Sequence, residues 1–265
     1  MSLSLTFLTK ISIENRKERL TEPSGLAQCH DKNGFWTVSD DTEKVFQISM
    51  GGKVRSKRSI PLPDKGLEGI TIDPAGTFLF AVREESNEII KLDIAQLSVV
   101  SRHTLSDMTG YDAVAPHFAN GNENKGLEGV AWNSDADTIV VLKEGEPGLL
   151  IEIDADLTGI LGHAALDDFD GFTRFAKAGE RVDYSDICYD SSRGLYWVVS
   201  DKAKRVYHFD FQARRVVWSA PLSYAKKGEY REIEKAEGVV YDPVAGRLYV
   251  ASDEEATLYT YDVRP

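Results

Sequence analysis

The chain has 265 residues, and 42% of them are hydrophobic, an ordinary share for a globular protein with a sizeable core. Its formal net charge of -12 at pH 7 argues against nucleic acids and anionic membrane surfaces as partners, because binding to them depends on lysine and arginine. No run of the sequence approaches the ~20 apolar residues of a membrane helix, so we expect no transmembrane segment.

From about residue 24 onward the chain is organised in five units, each of which opens with a short β-rich run. The residue that starts this run is a serine or a glutamate, and these residues are called the first ring: Ser24, Glu68, Glu128, Ser185 and Glu237. An acidic residue follows each of them 16 positions later, and these form the second ring: Asp40, Glu84, Glu144, Asp201 and Asp253. A repeat of this size, with one polar residue at a fixed point, predicts a closed ring of blades around a central site.

The first four units continue with three further β-rich runs, the number needed for a four-stranded blade. The fourth runs, predicted as outer strands, are Lys53–Ile60, Val99–Leu105, Gly159–Leu166 and Arg215–Pro221. The fifth unit stops after its third run, whereas Leu3–Ile13 reads as a strand without a unit of its own.

We therefore predict an all-β fold, a five-bladed β-propeller that forms a single domain over residues 1–265 and is closed by the N-terminal strand. The alternative is six blades. It would need a blade inside Ser106–Gly126, which is too short for four strands.

Hairpin geometry predicts where the two rings lie. The first strand of a unit runs about six residues and turns, so the end of the second strand returns to the starting face, and both rings should share one mouth of the channel. The long connections between blades arrive at the same face, and long loops on a rigid scaffold commonly form the working surface. These connections are Ser106–Gly126, Asp167–Asp183 and Ser223–Lys235.

Three glutamates that converge on one axis repel each other, so they must take up protons or hold a cation. The first ring offers three carboxylates and two hydroxyls, a set of hard oxygen ligands that suits the flexible coordination of calcium better than the strict octahedron of magnesium. We predict a Ca2+ site at all five positions of the first ring. The alternative is that the glutamates make ordinary salt bridges or face solvent. Acids of the second ring are also explained by turn chemistry.

Two cations precede acids of the second ring, Arg83 and Lys143, and they are candidates for binding a phosphate or carboxylate beside the metal. The alternative is that they neutralise the acidic rings. Candidates for a general base are Glu84, Glu144 and His117, but no catalytic residue can be assigned. Cys29 and Cys188 are expected to be buried free thiols.

The unit openings resemble those of the SdiA-regulated family of bacterial β-propellers over about residues 20 to 262. The matching pieces are Glu22-Pro23-Ser24-Gly25-Leu26, Leu67-Glu68-Gly69-Ile70, Gly126-Leu127-Glu128-Gly129-Val130 and Lys235-Ala236-Glu237-Gly238-Val239. This resemblance implies a propeller, often at the cell envelope, without implying a reaction.

The Ser-Glu-Glu-Ser-Glu order of the first ring also resembles, more distantly, the calcium-activated nucleotidases (apyrases). Those are five-bladed propellers with a calcium in the central tunnel, held by serines and glutamates. This resemblance implies that the five residues of the first ring are metal ligands.

The expected function is a calcium-binding propeller that binds a small-molecule or protein ligand at the channel mouth. The alternative is a calcium-dependent hydrolase of phosphoesters, nucleotides or related esters. Met1 to Leu8 lacks the basic n-region and cleavage pattern of a signal peptide. We expect a periplasmic or cell-envelope location if an export signal has been removed from this sequence, and a cytoplasmic one otherwise.

Overall fold

The computed structural model describes residues 3–118, 126–145, 147–173, 182–226 and 228–265. These residues form five antiparallel sheets of four strands, which are the blades, and a two-stranded hairpin. Among them, no helix has the length and hydropathy needed to cross a membrane.

The strands follow each other blade by blade. The chain starts with β1 (Ser4–Ser12). Blade 1 comprises β2 (Leu26–Gln28), β3 (Gly34–Thr37), β4 (Lys44–Ser49) and β5 (Ile60–Pro61). Blade 2 comprises β6 (Leu67–Ile72), β7 (Phe78–Arg83), β8 (Glu88–Asp93) and β9 (Ser98–Thr104). Blade 3 comprises β10 (Leu127–Asn133), β11 (Thr138–Lys143), β12 (Leu149–Asp154) and β13 (Ile160–Ala165).

Blade 4 comprises β14 (Asp186–Asp190), β15 (Leu195–Ser200), β16 (Arg205–Asp210) and β17 (Arg215–Pro221). The hairpin consists of β18 (Ser223–Lys226) and β19 (Glu229–Glu232). Blade 5 comprises β20 (Ala236–Asp242), β21 (Arg247–Ser252) and β22 (Thr257–Arg264), with β1 as its fourth strand.

The ring is closed by the N-terminal strand, as the incomplete fifth unit predicts. β1 pairs antiparallel with β22, from Ser4 opposite Arg264 to Ser12 opposite Thr257. The last blade is thus built from both ends of the sequence, and this pairing covers the edge that β22 would otherwise expose. The five blades confirm the preferred architecture over the six-bladed alternative.

The hydrophobic core lies between the blades. Inner strands such as β11 are buried along their whole length, so their runs are continuously apolar, whereas outer strands such as β9 and β17 alternate between exposed and half-buried residues. In the described part of the chain, five apolar clusters each join two neighbouring blades. Each blade therefore depends on both neighbours, and the first strands are held rigidly around the axis.

Blade 1 differs from the prediction at its outer edge. The predicted strand Lys53–Ile60 is reduced to β5, and only an isolated bridge joins Ile48 to Val54. The backbone between them forms turns, in which the Arg58 N–H donates to the Arg55 carbonyl. This segment is rich in basic and hydroxyl residues and lacks the alternating apolar side chains that would hold a strand against the blade.

The three long connections contain short regular elements. The hairpin β18–β19 occupies much of Ser223–Lys235. The other two connections contain 3-10 turns, and their residues 119–125 and 174–181 lie outside the described part. The 3-10 turns are Leu105–Asp107, Tyr111–Ala113, Ala115–His117 and Leu166–Asp168.

Candidate metal centre

Glycines let the first strands approach one another around the axis. A Cβ on Gly69 would lie 2.5 Å from the backbone oxygen of Glu128, and one on Gly238 would lie 2.5 Å from that of Ser24. Real Cβ atoms do not come this close, so only glycine fits at these positions. Each of these glycines directly follows a first-ring glutamate and packs against the first-ring residue of a neighbouring blade.

The three glutamates of the first ring occupy β-bulges. In blade 3, Leu127 pairs with Lys143 and Gly129 pairs with Leu142, so Glu128 is an extra residue without a partner. The same register shift occurs at Glu237 in blade 5, and in blade 2 it falls between Leu67 and Ile70. A bulge bends the strand and re-aims a side chain, and bulges recur beside functional sites. Here each bulge frees a glutamate from the regular alternation of the strand.

Both rings lie at one mouth, as hairpin geometry predicts. The strand register shows this directly. Leu67 is opposite Arg83 and Ala236 is opposite Ser252, and each of these four residues directly precedes a member of the first or second ring. Electrostatics agree: burial raises the pKa of Glu128 well above its usual value, with further contributions from acids of both rings. Those acids are Glu68, Glu84, Glu144 and Glu237.

The carboxyl groups of this mouth are tuned toward neutral pH. Burial, followed by the charge of Asp40, raises the pKa of Glu68 to about 8, against a smaller opposing effect of the Ser24 hydroxyl. Burial likewise raises the pKa of Glu237 to about 8, with Asp201 adding to the shift and Ser185 opposing it. These groups therefore hold protons near neutral pH when no positive charge is present to replace them.

Glu84 and Glu144 lie closer to the first ring than turn chemistry requires. Carboxylate oxygens of Glu84, Glu128 and Glu144 lie within 4.8 Å of one another. Burial raises the pKa of Glu84 as well. In blades 2 and 3, acids of the second ring are thus part of the same carboxylate cluster as Glu128.

This mouth fits a hard divalent cation. The clustered donors are carboxylate oxygens of Glu84, Glu128 and Glu144, which is the ligand chemistry that calcium prefers. Burial favours the uncharged acids, and an ion would reverse this preference by compensating their charge. Glu84, Glu128 and Glu144 bring carboxylate oxygens close enough to share such an ion. Glu68 and Glu237, with the hydroxyls of Ser24 and Ser185 beside them, lie outside that group of oxygens.

Arg83 is engaged away from the first ring. Its Nε donates to the Lys65 carbonyl at 3.0 Å, and its guanidinium lies 3.8 Å from Asp64 and 3.7 Å from Glu88. Arg102 pairs with the same two carboxylates. This network favours the interpretation of Arg83 as a neutralising residue over that of a ligand-binding one.

Lys143 is also held by contacts within its own blade and the adjoining loop. Its side chain is buried, with 3% exposed, and Nζ donates to the Glu144 carbonyl at 2.9 Å. The ammonium also lies 5.6 Å from the centre of the Phe118 ring. Lys143 therefore anchors the turn that carries Glu144.

His117 lies at the periphery of blade 3. Its ring is 5.9 Å from that of His163 in β13, the outermost strand of the blade. The structure thus separates His117 from the first strands that carry the glutamates, whereas it brings the other two general-base candidates, Glu84 and Glu144, together.

Two mouth cations were not anticipated from the sequence. Lys202 Nζ lies 4.0 Å from a Glu144 oxygen, and Lys235 Nζ lies 3.0 Å from Asp253. A second acidic group also appears, formed by Glu22, Asp40 and Asp41, of which the two aspartates are exposed. Lys202 directly follows Asp201, and Lys235 stands two residues before Glu237. Nothing in this spacing distinguishes them from solvated surface lysines.

The two cysteines are free and buried, as predicted. Burial raises the pKa of Cys29 to about 11 and that of Cys188 well above its usual value. Both thiols therefore stay protonated at neutral pH and are poor nucleophiles.

Fold and site together define a five-bladed β-propeller with an acidic central mouth. The sequence profile of the SdiA-regulated family matches residues 8–261, and the chain belongs to this family.

Two solved structures resemble the fold. The crystal structure of glutaminyl cyclase from Myxococcus xanthus is 13% identical, with a TM-score of 0.65, over 98% of this chain and 96% of that chain. Hydrazine synthase from Kuenenia stuttgartiensis is 14% identical, with a TM-score of 0.50, over 88% of this chain and 56% of that chain. At these identities the likeness concerns the fold alone.

Proposed function

We propose that this protein is a calcium-binding β-propeller of the bacterial cell envelope, in which a Ca2+ ion at the central mouth fixes the surface to which a small-molecule or protein ligand docks. The observation that carries the proposal is the convergence of three bulged glutamates at one mouth. Their pKa values are all raised, with burial as the largest cause in each. Calcium would replace the protons of these groups, so binding should release protons and strengthen as pH rises.

Thermal unfolding with and without Ca2+ tests this proposal. A ligand at 100 times its Kd stabilises the native state by about 2.7 kcal/mol. For a domain of this size, that stabilisation corresponds to a rise in Tm of roughly 5–10 °C. We expect such a rise with Ca2+ in the wild type and its loss in Glu128→Gln. The matched control is Glu152→Gln, the same change at a half-buried glutamate of blade 3 that bonds Thr138.

The outcome that contradicts the proposal is an unchanged Tm and no binding heat with Ca2+ in the wild-type protein. A Ca2+ response that survives in Glu128→Gln would instead move the ion to another place, such as the exposed group of Glu22, Asp40 and Asp41.

A second candidate function is calcium-dependent hydrolysis of phosphoesters or related esters. It is favoured by the position of Glu84 and Glu144, two candidates for a general base, beside Glu128 in one carboxylate cluster. A panel of phosphoesters, assayed with Ca2+ and with chelator, separates the two functions. Turnover that vanishes in folded Glu128→Gln supports hydrolysis, and inactivity of the calcium-loaded protein supports binding.

A further inference from the structure

Blade 4 breaks the pattern of the innermost strands at Asp186. In the other four blades the residue after the first-ring position is a glycine, namely Gly25, Gly69, Gly129 or Gly238. Blade 4 has an aspartate there, and it is completely buried, with 0% exposed. A carboxyl group thus occupies a layer that is otherwise backbone only.

Contacts of this carboxyl place it on the axis. Oδ2 accepts the Val239 N–H of blade 5 at 2.8 Å. Oδ1 lies on the opposite side, where a Cβ on Gly129 of blade 3 would come within 3.1 Å. The N–H groups of Leu26 in blade 1 and of Ile187 also face the carboxyl and favour its charged form. One side chain therefore touches three other blades.

Asp186 lies between the first ring and the opposite end of the channel. A cavity of about 220 Å³ at the opposite end is lined by residues further along the first strands, including Ala27, Ile70 and Ile187, but not by Asp186 or the first ring. Asp186 directly follows Ser185 of the first ring, and Glu237 acts on it electrostatically. Asp186 therefore lies at the inner end of the acidic mouth, here called its floor.

One carboxyl oxygen lacks a full hydrogen bond, because the nearby N–H groups of Leu26 and Ile187 do not meet hydrogen-bond geometry with it. Among the described residues, no group meets hydrogen-bond geometry with Oδ1, although this atom is buried. A completely buried carboxylate with one oxygen unpartnered is costly in the protein alone.

We infer that Asp186 is the floor group of the central cation site, where its free Oδ1 faces the ion from below the first ring and adds a fourth carboxylate to Glu68, Glu128 and Glu237. This inference rests on the proposed calcium site and assigns it a ligand group outside the repeat.

Calcium titration by calorimetry tests the role of Asp186 in the full chain. The variants are Asp186→Asn, which keeps the shape and removes the charge, and Asp186→Gly, which restores the residue of the other blades. We expect both to weaken Ca2+ binding at least about tenfold. The control is Asp242→Asn, a buried carboxyl at the far end of β20, whose Oδ2 accepts from Gln28. It should leave the Kd unchanged.

The titrations distinguish a failure of the Asp186 inference from a failure of the proposed calcium site. If the wild type binds Ca2+ and Asp186→Asn binds it with the same Kd, Asp186 takes no part in the site and the inference is wrong. If the wild type binds no Ca2+, the proposed function itself fails. Should Asp186→Gly not fold, Asp186→Asn still decides, with its Tm in chelator as the check that it is native.

Discussion

The blades with a glutamate in the first ring, called glutamate blades, and those with a serine, called serine blades, differ in how their first two strands pair at that residue. In blades 2, 3 and 5 the sheet pairing extends past the first-ring glutamate to the residue before it, and a bulge accommodates the extra residue. In blades 1 and 4 the pairing of the first two strands begins after the serine, and this pairing has no register shift among the described residues. Pro23, which precedes Ser24, has no N–H with which to extend the ladder.

The difference shows how a repeat acquires a charged centre. The serines stay within the regular strand direction, with Ser185 N–H donating to Val199, and remain buried. The glutamates need the bulge because a longer charged side chain must leave the sheet to reach the mouth. Blade 4, which lacks a glutamate, is also the blade that carries Asp186 on the axis. The charge missing from its ring position thus reappears one residue later.

The largest expected effect is on the pH dependence of stability in chelator, and it should come from the glutamate blades. The pKa of Glu68 and that of Glu237 are about 8 in the folded protein, against an ordinary value of 4.5. The folded state therefore keeps protons that the unfolded chain loses, so stability is full below about pH 4.5 and falls as pH rises toward 8.

Melting curves between pH 4.5 and 8.5 measure this effect. Glu68→Gln and Glu237→Gln should each flatten the fall in Tm, whereas Glu152→Gln should follow the wild type. Saturating Ca2+ should also abolish the fall, because the ion replaces the protons. A wild-type Tm that is constant across this range would contradict the raised pKa values.

The sequence was sufficient for the architecture because each step depended on local pattern and chain direction. The incomplete fifth unit and the unassigned Leu3–Ile13 run predict the closure by β1. The offset of 16 residues predicts that the two rings share one mouth, and the pairing of Leu67 with Arg83 agrees with it. The bulges were not predictable, because Glu-Gly reads like any strand start, and the register of pairing depends on how the neighbouring blade packs. The sequence left the two interpretations of Arg83 open for a similar reason: Asp64, its partner, lies before β6, and only the fold brings the two together.

Asp186 is the clearest example of a site residue whose role could not be predicted from the sequence. Its departure from glycine is visible in the sequence, but an aspartate at that point reads equally well as a solvated strand start. Its burial and its contacts with three other blades follow from closure of the ring, which no local pattern contains.

A smaller effect is expected from the glycine layer. Gly69→Ala would place a Cβ against the Glu128 backbone oxygen and the Gly129 Cα, neither of which can move without shifting blade 3. Such overpacking costs about 1–3 kcal/mol. The control is Gly162→Ala in β13, where a Cβ meets nothing within 4 Å. Chemical denaturation should show destabilisation in the first variant only. Equal stability of the two variants would mean that the first strands can separate enough to accept a Cβ at Gly69 without a measurable cost.

The smallest effect is expected at the serines. The Ser185 hydroxyl opposes the rise in the pKa of Glu237, so Ser185→Ala should make this glutamate harder to ionise and weaken Ca2+ binding. The loss of one such contact to a charged group is about 1.5–3 kcal/mol at most, and less when water replaces it. Calorimetry should therefore give a Kd several-fold higher than that of the wild type, clearly less affected than in Glu237→Gln. If the serine variant were the more damaging of the two, the division of the ring into glutamate blades that carry the charge and serine blades that support it would have to be reversed.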